Sequence, residues 1–190
     1  TSTCSDTANC QPCNEMLSLA ASVESRSTHP YAQAILESAN SHQLAYASAE
    51  NVETLTGHGV RGQVDGKLVT IGSHRYFDNE FEHSGDLCTT AKGIEAQGQT
   101  AVMVHDGDKV RGVIAGADTV RDESGKIIKD LHGMNIDSVM LTGDNQAVAD
   151  AIGGQIGVDR SYDELLPPDK VSAVEKLKGE YHRVALIGDG

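Results

Sequence analysis

Gly57-His58-Gly59-Val60-Arg61-Gly62-Gln63-Val64-Asp65-Gly66-Lys67-Leu68-Val69-Thr70-Ile71-Gly72-Ser73 is the stretch on which the fold turns. Its first six residues match Gly-x-Gly-x-x-Gly, the spacing of a dinucleotide-binding loop. That reading requires a strand before the loop and a helix after it. Here residues 60–64 and 67–71 alternate apolar and polar and flank Asp65-Gly66. Asp-Gly between two such runs is a strong signal for a two-residue hairpin, because both turn positions need positive φ. The dinucleotide reading is therefore rejected and an antiparallel sheet is expected. Glycines ahead of a hairpin leave two readings open. They form a bulge or tight turn, or they let a flat ligand or a phosphate approach the backbone.

Working outward, residues 100–105 and 110–115 flank Asp106-Gly107-Asp108 and predict a second hairpin. Towards the N-terminus the period changes. Met16, Leu17, Leu19, Ala20 and Val23 form one apolar stripe and predict a helix over 14–25. A second helix begins at Pro30, with Ala32, Ile35, Leu36 and Ala39 on its apolar side. His29 thus stands at or near a helix start, and Glu24 and His29 bracket the break between the helices. A histidine there either faces a phosphate or a base, or caps the helix at the surface.

The last third alternates helix and strand. Helices are expected over 124–133, 147–156 and 169–178, and strands over 138–141 and 183–187. Such alternation predicts a parallel α/β sheet, whose ligands sit at strand C-termini. Leu141-Thr142-Gly143-Asp144-Asn145 ends one strand with a hydroxyl and a carboxylate. Gly188-Asp189-Gly190 ends another. Leu166-Pro167-Pro168-Asp169-Lys170 opens a helix with a lysine in its first turn, where a cation opposes the helix dipole and so invites a functional reason. A hydroxyl, an ammonium and carboxylates are the groups that phosphoryl transfer with magnesium uses.

Composition sets limits. The 190 residues carry a net charge of −13, which disfavours nucleic acid and anionic membrane surfaces as partners. No apolar run approaches the ~20 residues of a membrane helix, and no signal peptide opens the chain. Of the four cysteines, Cys4, Cys10 and Cys13 fall in the first thirteen residues. Cys10-Gln11-Pro12-Cys13 reads as a soft-metal or redox pair, or as incidental thiols in a leader.

Along nearly the whole chain these segments resemble the heavy-metal-transporting P-type ATPases. Glu24-Ser25-Arg26-Ser27-Thr28-His29-Pro30 is similar to their histidine-proline signature. Gly57-His58-Gly59 is similar to their paired-glycine nucleotide loop, and Ile71-Gly72-Ser73 to the glycine turn that follows. Thr142-Gly143-Asp144-Asn145 and Gly188-Asp189-Gly190 resemble two motifs of the haloacid-dehalogenase-like phosphorylation domain.

The resemblance implies an α/β protein with a leader over 1–13 and an α+β ATP-binding domain over 14–116. Part of a Rossmann-type phosphorylation domain follows over 117–190, with a hinge near Asp118-Thr119. Glu24, His29, Gly57, Gly59, Gly72 and Ser73 would line the adenine-nucleotide pocket. Thr142, Asp144 and Lys170 would serve the transferred phosphoryl group, and Asp189 would lie by a magnesium ion. ATP and Mg2+ are the implied cofactors.

Implied partners are a transported cation and the actuator and membrane domains of a pump, at the cytoplasmic face of a membrane. Ala20-Ala21-Ser22-Val23-Glu24, Thr28-His29-Pro30, Gly98-Gln99-Thr100 and the segment 165–171 look most like the zinc/cadmium/lead exporters, with copper as the alternative. Three departures stand beside this. The Asp-Lys-Thr-Gly-Thr motif of the phosphorylated aspartate is absent, the last motif stops at Gly190, and Ser73 replaces the usual asparagine. A soluble haloacid-dehalogenase-like phosphatase and a cysteine-based metal module are the rival readings.

Overall fold

A computed structural model describes residues 10–27, 29–116, 120–121 and 123–188. The chain divides into two units, Thr1–Glu95 with Gln99–Asp118, and Ala96–Gly98 with Thr119–Gly190.

In the first unit, Pro12 sits at the start of α1 (Gln11–Glu24), and α2 (Pro30–Ser41) follows after a short break. Their apolar sides meet each other and the sheet. Ala20, Ala21 and Val23 of α1 are at most 1% exposed, and with Ile35 and Ala39 of α2 they form the core. Each large aliphatic side chain buried in this way contributes about 1.5–3 kcal/mol.

The sheet runs β1 (Glu50–Leu55), β2 (Gly59–Val64), β3 (Lys67–Ser73), then, beyond two helices, β4 (Thr100–His105) and β5 (Val110–Gly116), antiparallel throughout in that order. The expected hairpin is present, with Asp65 at φ +50° and Gly66 at φ +77°. The second hairpin turns at Gly107, and the Asp106 carboxylate accepts from the N–H groups of Asp108 and Lys109. Strand alternation divides the sheet between two faces. Val69, Ile71 and Val104 face the first two helices. Gly72 presents its Cα to α3 (His74–Glu80), where Tyr76 and Phe77 lie against it. Ala101 and Met103 are buried on the same side, and α4 (Gly85–Glu95) packs on β4 and β5. β1 is an edge strand, almost wholly exposed, blunted by Glu50, Glu53 and an irregularity in its register.

The second unit holds α5 (Ser124–Gly133), β6 (Val139–Leu141), α6 (Gln146–Ile156), β7 (Arg160–Tyr162) and α7 (Pro167–Glu180), with β6 and β7 paired in parallel as expected for this part. One expectation fails. Residues 183–187 are not a strand, and Leu186 and Ile187 are 72% and 92% exposed. An apolar run becomes a strand only where a neighbour satisfies its backbone groups, and none pairs with it among the described residues.

Asp159 ties this unit together. Its carboxylate accepts from the Ser138 N–H at 2.7 Å and the Ser138 hydroxyl at 3.0 Å, and it pairs with His132 Nε2 at 2.9 Å. These hydrogen bonds, the Ser138 N–H foremost and then His132, lower its pKa to about 2 from an ordinary 3.8. A depressed carboxylate stabilises the fold above its unfolded pKa and ceases to do so as pH falls through the folded value. The difference in unfolding free energy between the native chain and Asp159→Asn should therefore be constant above 3.8 and vanish as pH drops to about 2. Urea titrations at stepped pH check this, and a difference unchanged down to the lower value would refute it.

Candidate nucleotide site and phosphoryl-transfer loops

β-sheet register places the glycine motifs at one end of the first sheet. Leu55 pairs with Gly59, Gly59 with Gly72, Ser73 with Val102, and Thr100 with Gly116. The turn into β2 passes through Gly57 at φ +75° and Gly59 at φ +149°. His58, between them, accepts from the Ser73 N–H through its carbonyl at 2.9 Å and stacks its ring on Tyr76, centroids 5.4 Å apart. Ser73 Oγ caps α3 by accepting from the Tyr76 N–H at 3.4 Å. So Gly57, Gly59, Gly72 and Ser73 are brought together, and each has a local structural task there.

The histidine-proline segment reaches the same end from the helices. Tyr31 donates its hydroxyl to the Ile114 carbonyl at 2.9 Å, and its ring fills the space a side chain at Gly116 would need. His29 is the N-cap of α2. Its Nδ1 accepts from the Tyr31 N–H at 3.3 Å, and the ring is exposed. With Nδ1 turned to the backbone, Nε2 is left as a donor available to a ligand. Cap and ligand roles are thus compatible in one side chain.

Glu24, the last residue of α1, is 8% exposed. Burial raises its pKa, partly offset by a hydrogen bond from Ser27 and by the charge of His29. Burial, and then Glu24, also holds the Tyr31 hydroxyl in its protonated form. A buried carboxylate offers an acceptor and repels anions, so it suits a donor such as an exocyclic amine better than a phosphate.

In the second unit, Thr142 and Asp144 lie just beyond β6. Thr142 Oγ1 donates to Asp144 Oδ2 at 2.7 Å and accepts from the Asp144 N–H at 3.1 Å. Asn145 caps α6 through the Val148 N–H. The segment leading to α7 is pinned to the same loop, since the Leu165 N–H donates to the Thr142 carbonyl at 3.0 Å and the Glu164 N–H to that of Asp144 at 2.7 Å. Asp169 accepts from the Leu166 N–H, and Lys170 follows it, exposed, in the first turn of α7. A hydroxyl, a carboxylate and a first-turn lysine thus flank one strand end. Asp189, Asp118, Thr119 and Cys4 lie outside the described residues. Cys10 stands at the N-cap position of α1 without a side-chain capping bond, and Cys13 in its first turn is a free thiol.

Known proteins are similar to this chain over most of its length. The chain is 39% identical over 181 residues to a probable cadmium-transporting ATPase of Staphylococcus aureus (strain MRSA252), covering 93% of this chain and 25% of that protein. It is 40% identical over 178 residues to a probable copper-exporting P-type ATPase V of Mycobacterium tuberculosis (strain CDC 1551 / Oshkosh), covering 93% of this chain and 23% of the relative. The crystal structure of a zinc-transporting PIB-type ATPase in the E2.Pi state superposes with a TM-score of 0.55 at 39% identity, over 88% of this chain and 27% of that one. The chain therefore spans about a quarter of the length of these relatives. The model of the haloacid dehalogenase-like hydrolases matches residues 4–190, so that both the glycine-lined sheet and the Thr142 strand end fall within it, and the chain belongs to that hydrolase family.

Proposed function

We propose that the chain is the ATP-binding part, with a portion of the phosphorylation domain, of a heavy-metal-transporting P-type ATPase. The observation that carries this reading is the convergence at one sheet end of Gly57, Gly59, Gly72 and Ser73 with the segment holding Glu24, His29 and Tyr31. The cadmium-, copper- and zinc-transporting relatives support it. In this reading Glu24 accepts from the adenine amine, His29 orients the nucleotide through Nε2–H, and the glycines admit it close to the backbone. Thr142 and Lys170 then contact the phosphoryl group, which passes to an aspartate that is not among these residues.

Asp189, the residue expected beside magnesium, lies outside the described residues, while Asp144, expected to serve the phosphoryl group, is engaged by Thr142. No step is assigned through the ion. The pump's membrane and actuator domains are the remaining partners, at the cytoplasmic face of a membrane. Among the described residues no helix is long and apolar enough to cross one. The cargo is a zinc/cadmium/lead-class cation on the segments at 20–24 and 165–171. Copper is the second reading, because a copper-exporting relative is equally similar.

His29 tests the pocket. His29→Ala should weaken ATP binding about fivefold, the worth of about 1 kcal/mol, and cost about 0.5–2 kcal/mol of stability through the lost cap. His29→Asn restores a good cap without the imidazole. It should recover the stability and not the affinity in calorimetric titrations with ATP. Wild-type affinity in His29→Asn would reduce His29 to a cap and remove it from the pocket.

A further inference from the structure

The link between the two helices on the second face of the first sheet gathers four ligand-type side chains. His74 and Asp78 stand one turn apart on α3, His83 lies in the connection, and Cys88 lies near the start of α4. Asp78 Oδ1 is 3.5 Å from His74 Nε2, 3.1 Å from His83 Nε2 and 3.4 Å from Cys88 Sγ, and His83 Nε2 is 3.0 Å from that sulfur. All four atoms lie within 4.8 Å of one another. A tetrahedral zinc ion holds ligands at about 2.0–2.3 Å, which sets them about 3.3–3.8 Å apart. The four separations of 3.0–3.5 Å are near that spacing, and none of the six exceeds 4.8 Å.

The imidazoles are also held from behind. His74 Nδ1 faces Glu95 Oε2 at 3.4 Å in the buried interior, and His83 Nδ1 meets the Phe81 carbonyl at 2.7 Å. Protons assigned to both Nδ1 atoms turn both Nε2 lone pairs toward the centre of the cluster. Carboxylate or carbonyl backing of this kind orients histidine ligands in metal sites. His74 makes the case sharper. Its side chain is 6% exposed, Nε2 has no hydrogen-bond partner, and a carboxylate oxygen of Asp78 faces it. A buried lone pair opposite a carboxylate costs free energy unless a cation lies between them.

We propose that His74, Asp78, His83 and Cys88 bind a zinc-type divalent cation, with Glu95 and the Phe81 carbonyl fixing the two imidazoles. Two imidazoles, one sulfur and one carboxylate suit zinc, whereas magnesium and calcium seek mostly oxygen ligands. Four protein ligands close the coordination sphere, so the ion is structural and staples α3 to α4. Asp78, 43% exposed, leaves an entry path. This inference does not depend on the nucleotide reading.

The test uses the full chain with Cys4→Ser, Cys10→Ser and Cys13→Ser, which leaves Cys88 as its sole thiol. The expected result is one equivalent of zinc by calorimetry, a thermal midpoint that rises with zinc and ignores magnesium, and a sulfur-to-cobalt charge-transfer band with tetrahedral cobalt(II) absorption. Adding Cys88→Ser should abolish that band and weaken zinc binding at least about tenfold. Glu95→Gln should keep the band and weaken binding about 10- to 100-fold. Circular dichroism of each zinc-free variant verifies folding. A folded triple variant that binds no zinc would show that a proton, not a metal ion, sits between His74 and Asp78. Binding that Cys88→Ser leaves unchanged would equally overturn the site.

Discussion

Gly59→Ala is expected to lower the unfolding free energy by about 2–5 kcal/mol, combining backbone strain with overpacking. Gly59 has φ +149°, a conformation that side-chain-bearing residues rarely adopt. A Cβ there would lie 2.0 Å from the Ile71 carbonyl oxygen and 2.6 Å from the Gly72 Cα. These are backbone atoms of the paired strand, so no rotamer change relieves the contact and the β2–β3 ladder itself must move. Gly66 is the control. It too has positive φ, but a Cβ there meets nothing within 4 Å. Gly66→Ala should then show strain alone, about 1 kcal/mol. Urea unfolding of the two variants decides the matter, and a Gly59→Ala loss no larger than that of Gly66→Ala would mean that the close strand approach is wrong. The corollary concerns function. Gly59 has a sufficient structural reason to be glycine, so lost ATP binding in its variants would not report on the pocket.

The hairpin at Asp65-Gly66 was legible because one dipeptide dictates two backbone conformations. The helices around Val23 and Ile35 were legible because a buried face imposes a helical period. α3 and α4 were not. α3 is a single short piece started by a Ser73 cap, and α4 carries Gly85, Gly93, Thr89 and Thr90, weak helix formers that tertiary packing overrides. β1 buries almost nothing and so has no apolar pattern to read. The reverse error fell on residues 183–187, where an apolar run was read as a strand although the ladder that makes one is a tertiary matter. The same logic governs the site. His29 could be placed from its proline, because a cap is a local feature. His74, Asp78, His83 and Cys88 carry no recurrent ligand spacing, and only the packing of α3 against α4 joins them. The cysteine spacing that does catch the eye, Cys10 to Cys13, lies across the start of α1.

Glu24 sets stability against binding, and its replacement by glutamine should move the two in opposite directions. Burial raises the Glu24 pKa above its ordinary 4.5, against the smaller opposing effects of Ser27 and His29. A raised carboxyl favours the folded state most when protonated, below the unfolded value, and that contribution is lost as pH rises through the folded value. At neutral pH the native chain therefore bears the cost of a buried carboxylate, and Glu24→Gln, with the same shape and no charge, should be the more stable protein. The gain should fade as pH falls through the raised folded value and be gone below 4.5. ATP binding should weaken about tenfold, since a charge-assisted hydrogen bond to the adenine amine becomes a neutral one. Guanine presents a carbonyl where adenine has its amine, so the carboxylate repels GTP, and the variant should narrow the preference for ATP over GTP. Unfolding curves at stepped pH, paired with titrations of both nucleotides, read all three effects. A variant less stable than the native chain at neutral pH would show that Glu24 is compensated by its neighbours. Unchanged nucleotide affinities would place the base elsewhere, and the convergence at the glycine end of the sheet would then be structural alone.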